Sequence, residues 1–165
     1  TFTEKPMKQI LLAVLFAGSA LAQPRVVNTY TATCTLTLSA AAGACTIQQP
    51  ASGSATVQLV AAYIESTAAI TFTQERNGTA ATATSATVRA VNPDISDSAR
   101  TLVYTASNVG SGTTITDAIS IAASGNVTLD LTDIQMRGNG TSKNYTVRVA
   151  SATATVKVML KWREY

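Results

Sequence analysis

The chain contains no histidine at all. This removes the commonest general base, the Ser–His–Asp arrangement for nucleophilic catalysis, and imidazole-based metal sites. Cysteine is nearly absent too, with only Cys34 and Cys45. A thiol nucleophile would therefore have no histidine partner, and no cluster of thiolates is available to hold a metal. Charged residues make up 13% of the chain and aromatics 5%. Glu and Lys, the usual residues of exposed helix faces, are thus too scarce to build many helices. A carbohydrate-binding module normally presents several exposed rings, and most of the few rings here fall on inward strand positions.

The acidic residues that remain offer no local catalytic pair. Asp130 and Asp133 flank Leu131-Thr132, and three residues of strand place them on opposite faces. Glu65, Glu75, Asp94, Asp97, Asp117, Asp130 and Asp133 can pair only through the fold, and a glycosidase needs two of them about 5–10 Å apart. Asp94 and Asp97, in NPDISDS, are the one calcium candidate, although their spacing matches no EF-hand and such residues commonly shape turns. RGNGTSKN leads from one strand pattern into another, so it lacks the helix N-terminus that would bind phosphate. No cofactor is implied.

What the sequence does contain begins at Met7. Met7-Lys8-Gln9 is a short basic lead, residues 10–17 (ILLAVLFA) form an apolar block, and small residues follow to an A-x-A pattern ending at Ala22. This is the layout of a secretory signal peptide cut between Ala22 and Gln23. The block is too short for the roughly 20 residues that cross a bilayer. Gln23, rather than Cys, follows the small residues, so no lipoprotein signal is present, and no acidic residue interrupts residues 10–22 as in a pilin leader. The expected organisation is residues 1–6 as upstream sequence, 7–22 as a signal-peptide helix, and 23–165 as one domain. That domain carries ten basic residues and eight acidic ones, for a net charge of +2.

Export implies an oxidising compartment and a Cys34–Cys45 disulfide, expected to staple a strand pair across a turn at residues 40–44. Thr, Ala and Ser dominate the rest, and β-branched Thr favours strands. The hydrophobic period is two almost everywhere. Tyr30, Ala32, Cys34, Leu36 and Leu38 share one face, with threonines between them. Val57, Leu59, Ala61 and Tyr63 form a second such face, Ile70 and Phe72 a third, and Val127, Leu129 and Leu131 a fourth. Val156, Val158, Leu160 and Trp162 point one way on the last strand, opposite Lys157, Met159, Lys161 and Arg163. Asn77-Gly78 marks a hairpin that pairs residues 68–76 with 79–91, and residues 144–150 and 152–164 read as two successive strands.

About nine or ten short strands, with no helix after residue 22, predict an all-β domain. The expected form is a single antiparallel β-sandwich of jelly-roll type. The basic residues are scattered except for Lys157, Lys161 and Arg163, which is too sparse for a nucleic-acid patch. The functional expectation is a secreted, non-catalytic structural or adhesive protein at the cell surface. It would self-associate into a homo-oligomer, filament or surface layer, with residues 23–33 as an arm that adds a strand to a neighbour. The alternative is an extracellular carbohydrate-binding module using loops 94–100 and 137–143. Neither nucleic acid nor, after cleavage, a membrane is an expected partner.

Overall fold

The computed structural model describes residues 27–52, 55–78, 84–92, 98–106, 112–138, 140 and 143–165. The signal segment 7–22, its cleavage point at Ala22 and Gln23, and the calcium candidates Asp94 and Asp97 lie outside these residues. The described residues are all-β: eleven strands in one antiparallel sheet and no helix. They are β1 Asn28–Gln48, β2 Ala55–Ser66, β3 Ile70–Arg76, β4 Thr84–Ser85, β5 Val88–Ala90 and β6 Leu102–Ala106, then β7 Thr113–Thr114, β8 Ile119–Ile121, β9 Asn126–Asp130, β10 Gln135–Gly138 and β11 Asn144–Glu164.

Two 21-residue strands, β1 and β11, pair antiparallel along their whole length, from Asn28↔Glu164 to Gln48↔Asn144. Each is flanked by different strands in its two halves. Beside residues 28–39 and 153–164 lie β5 on one side and β2 on the other, with β9 and β10 beyond β2. Beside residues 43–48 and 144–149 lie β6 and β4 on one side and β3 on the other, with β7 and β8 beyond β3. We call these the first and second halves of the sheet.

Between the halves both long strands bend through small residues, Ala40 to Ala44 on one and Ala150-Ser151-Ala152 on the other. The register shifts between Ser39 and Ala41 and again between Ala41 and Gly43. Such irregularities add local twist and bend a strand. Ala40 adopts a left-handed φ of 52°, its N–H donating to Thr153 Oγ1 (3.2 Å) and its carbonyl accepting from Ser151 Oγ (2.8 Å).

The Cys34–Cys45 bond forms, but it does not staple a hairpin. Both cysteines belong to β1, and each pairs with β11, at Val158 and Val147. Eleven residues of straight strand would separate them by about 36 Å, whereas their Cα atoms are 5.8 Å apart. Cys34 Sγ lies 3.5 Å from the Tyr104 carbonyl oxygen in the second half, and Cys45 Sγ lies 4.0 Å from the Val158 carbonyl oxygen in the first. The sheet therefore folds over at the corner until the inner faces of its halves meet. The turn at residues 40–44 is real, but it redirects one strand instead of reversing the chain.

The core between the halves holds the faces that alternation marks. Tyr30, Ala32, Cys34, Leu36 and Leu38 are buried, as are Val156, Val158, Leu160 and Trp162, and Ile70 with Phe72. Tyr30 and Trp162 are cross-strand partners with ring centroids 5.9 Å apart. Each fully buried large side chain stabilises the fold by about 1.5–3 kcal/mol over leaving it exposed.

Three further pairings differ from expectation. On β2 the buried residues are Val57 and Leu59, then Ala62 and Ile64, so Ala61 and Tyr63 face outward. The cause is a bulge: Trp162 pairs with Leu59 but Lys161 with Ala61, leaving Val60 as an extra residue that flips the phase. The Val60 carbonyl is satisfied by Leu131 N–H at 3.1 Å. Second, Asn77-Gly78 does not close a hairpin; β4 joins β6, and β5 joins β1. Asn77 takes the left-handed conformation (φ 53°) and donates to the Asn144 carbonyl. Asn144 then clasps Gly78 with its side chain, accepting from Gly78 N–H at 3.0 Å and donating to its carbonyl. Third, residues 144–164 are one bent strand where two were expected.

Candidate functional site

Each half of the sheet has an outward face, and the two are built differently. In the second half the outward residues form a polar row, Tyr104–Thr46–Thr146–Glu75–Thr114, across five strands. Residues 44–49 are buried on both faces of the sheet. Thr46 and Thr146, 2% and 3% exposed, share a hydrogen bond of 2.8 Å. Glu75 accepts from Arg148 Nε at 2.6 Å and from Arg148 Nη2 at 3.1 Å, a two-pronged ion pair in which Glu75 is nearly buried. Gly112 N–H donates to the same carboxylate at 3.0 Å. Burial pushes the Glu75 pKa up, but the Arg148 hydrogen bonds and charge, with the Gly112 amide and Thr73 hydroxyl, outweigh it and hold the carboxyl below its ordinary value.

Gly112 can approach this closely because it lacks a side chain. A Cβ there would sit 2.8 Å from the Arg76 carbonyl oxygen and 3.1 Å from Gly78 Cα. At its centre, from Thr46 through Thr146 to Glu75, the polar row is thus a buried, hydrogen-bonded layer, with Tyr104 half-buried and Thr114 exposed at its ends. Just inside, Tyr145 donates to Gln74 Oε1 at 2.8 Å, and burial raises the pKa of its phenol well above the ordinary range.

The first half presents its outward face to solvent. Its rows are Arg89–Thr31–Lys161–Ala61–Asp130, Thr33–Met159–Tyr63–Thr128, Thr35–Lys157–Glu65–Asn126 and Thr29–Arg163–Gln58–Gln135. Arg137, two residues along β10, shares this face and donates to Gln135 Oε1 at 3.0 Å. Among the described residues five cations therefore share one face: Arg89, Arg137, Lys157, Lys161 and Arg163. Two of them, Arg89 and Arg137, are distant in sequence from the basic cluster at 157–163, so only strand register could bring them to it. Lys157 pairs with exposed Glu65 at 2.9 Å, which raises the lysine's pKa through the hydrogen bond and the charge. A shallow groove of about 470 Å³ opens beside this pair, lined also by Ser66, Thr67, Ser124 and Asn126.

Four of the six described carboxylates, Glu65, Glu75, Asp130 and Glu164, act as structural acceptors, while Asp117 and Asp133 are exposed. Glu164 Oε1 accepts from Thr101 N–H, Thr101 Oγ1 and Trp162 Nε1, and its Oε2 accepts from Arg100 N–H, fixing the segment before β6. Asp130 accepts from the Thr132 amide and hydroxyl, which lowers its pKa. Glu65 and Asp130 share the exposed face but stand four residues apart in register on β2 and β9, about 13 Å along the strands. That separation exceeds the span of a two-carboxylate glycosidase site. Among the described residues no three of Cys, Asp and Glu gather as metal ligands.

Of the carbohydrate candidates, loops 94–100 and 137–143, residues 94–97, 139, 141 and 142 lie outside the described residues. Of the proposed strand-adding arm, residues 28–33 pair within the chain, with β11 and, at 30–32, with β5; residues 23–26 lie outside the description. Among the Asn-x-Ser/Thr motifs, Asn126 is exposed at the start of β9, whereas the Asn144 side chain is buried and committed to Gly78. No protein-family model, no curated protein and no solved structure matches this chain.

Proposed function

We propose that the chain is a secreted, non-catalytic adhesive or structural protein, a jelly-roll-like sandwich that associates with copies of itself at a cell surface. The observation that carries this reading is β9. Its five residues pair with β2 along one edge, and among the described residues no strand pairs with the other. β9 contains no Lys or Pro and has one charge, Asp130 at its end. Edge strands that avoid partners normally carry such residues. The engagement of Glu75, Glu164, Asp130 and Glu65 in structural contacts supports a non-catalytic role, and the buried disulfide is compatible with an oxidising extracellular compartment.

Sedimentation velocity and negative-stain microscopy of the exported chain test this reading. The expected result is concentration-dependent oligomers that Thr128→Lys, which adds a charge to the open strand, shifts toward monomer. A clean monomer at high concentration overturns it. The alternative of a carbohydrate-binding module finds its best support on the open sheet face, to which Arg137 of the candidate loop 137–143 belongs.

A further inference from the structure

We propose that the outward face of the first half is a docking surface for an acidic polysaccharide, which would be the partner of the adhesive role and rests on that reading. Charge selects the sign of the occupant. Arg89, Lys161, Arg163 and Arg137 stand on this face, and among the described residues none of them pairs with a carboxylate, the two ion pairs being Arg148–Glu75 and Lys157–Glu65. Within the described strand rows Asp130 is the one acid outside those pairs, and it accepts from Thr132.

Spacing selects an extended polymer. Lys161 and Arg163 are two residues apart on one strand, about 6.7 Å, and Arg89 is two strands from Lys161, about 9.6 Å. The cations thus form an open lattice that suits a chain with one charge every sugar or two. Hydroxyls select a sugar. Thr29, Thr31, Thr33, Thr35 and Thr37 run along β1 on the same face, each able to donate to and accept from sugar oxygens. Between the cations and the Glu65–Lys157 pair lie half-buried Tyr63 and exposed Met159, a small apolar strip for the C–H face of a sugar ring.

Two other polyanionic partners fit less well. Single-stranded nucleic acid is held by successive aromatic platforms, and the rows of this face offer Tyr63 alone. Membrane surfaces are bound by apolar wedges beside the cations, and within the strands of this face Met159 is the one large exposed apolar side chain.

The test measures binding of the exported chain to immobilised alginate, to uncharged dextran of equal length, to a single-stranded DNA oligomer and to phosphatidylglycerol vesicles, at several salt concentrations. Alginate is expected to bind and dextran not, with affinity falling as salt rises because a few counterions are released. Lys161→Gln with Arg163→Gln should weaken alginate binding about tenfold or more, and Arg89→Gln alone should weaken it to a lesser degree. Arg76→Gln with Lys143→Gln should leave it unchanged. Lys161 is half-buried and the others are exposed, and thermal unfolding of each variant checks that the fold persists.

Equal binding of dextran, indifference to both face variants, tighter binding of DNA or vesicles at the same salt, or no binding of alginate would each overturn the proposal. Sedimentation of the same samples keeps the two ideas apart. A monomer that binds alginate through these residues defeats self-association alone, and an oligomer that binds nothing defeats the docking surface alone.

Discussion

The two halves of one sheet share two strands, one alternation pattern and one core, yet their outward faces have opposite fates. In the first half β1 alternates, with Cys34, Leu36 and Leu38 buried and Thr33, Thr35 and Thr37 exposed. In the second half residues 44–48 are buried without interruption, although Thr46 occupies the same kind of position as Thr35. Alternation therefore reports which face is apolar and leaves open whether the other face meets water. Where it does not, its polar groups must find one another. Thr46 finds Thr146, and Glu75 finds Arg148 and Gly112.

The disulfide ties the halves together, and removing it has the largest expected effect on their relation. Cys34→Ala with Cys45→Ala should destabilise the fold by about 3 kcal/mol, the loop-entropy value for a separation of this length. Chemical denaturation with and without reductant measures it. A loss of stability confined to one half, seen by hydrogen exchange, would show that the halves hold together without the bond.

The two ion pairs offer the next contrast. Arg148→Met leaves a nearly buried carboxylate without its cation, which costs 3–5 kcal/mol at full burial; Arg148 is partly exposed, so about 2–3 kcal/mol is expected. Lys157→Met breaks a pair that both partners make in water, and no measurable change is expected. Acid should find the same pair. The folded-state pKa of Glu75 lies below its ordinary 4.5, so the stability it supplies is full above that value and is lost as pH falls through the lower, folded value. In Glu75→Gln this part of the acid dependence should vanish, leaving a flatter stability curve below pH 4.5.

Much of this architecture was legible along the chain, and its failures share one cause. The inward faces of β1, β3 and the end of β11 follow from local period alone, because successive residues of a strand alternate whatever they pair with. Pairing itself is not local: Cys34 meets Val158, and β1 closes against β11 across roughly a hundred residues or more. No periodic signal could say that residues 28–48 form one bent strand instead of a hairpin. Nor could it place a bulge at Val60, which depends on the register against Lys161 and Trp162. The same holds for the candidate site. Lys157, Lys161 and Arg163 announce themselves by even spacing along one strand, but Arg89 and Arg137 join them only through Thr31 and Gln135.

A hydroxyl test separates the halves more finely. Thr46→Val should cost about 1–2 kcal/mol, because it strands the Thr146 hydroxyl in a dry layer. The double change with Thr146→Val should recover most of that loss, since neither hydroxyl is then left unpaired. Thr35→Val, in the exposed row, should fall within about 0.5 kcal/mol of the parent. Equal effects at Thr46 and Thr35 would mean that both faces are solvated and would erase the contrast between the halves.

The smallest effect belongs to the corner where the halves diverge. Ala40 holds a left-handed φ of 52°, and a side chain there crowds the following carbonyl. Glycine adopts this conformation without that penalty, but it adds freedom to the unfolded chain, and the two terms oppose each other. Steric relief of about 1–2 kcal/mol exceeds the added entropy of about 0.5–1 kcal/mol. Ala40→Gly should therefore raise stability by up to about 1 kcal/mol, read as a higher denaturant midpoint at unchanged slope. Ala41→Gly, one residue on and without a positive φ, should lower it. If both changes destabilise alike, the bend is not set by the conformation of Ala40, and the run of small side chains at residues 150–152 of β11 becomes the element that turns the sheet.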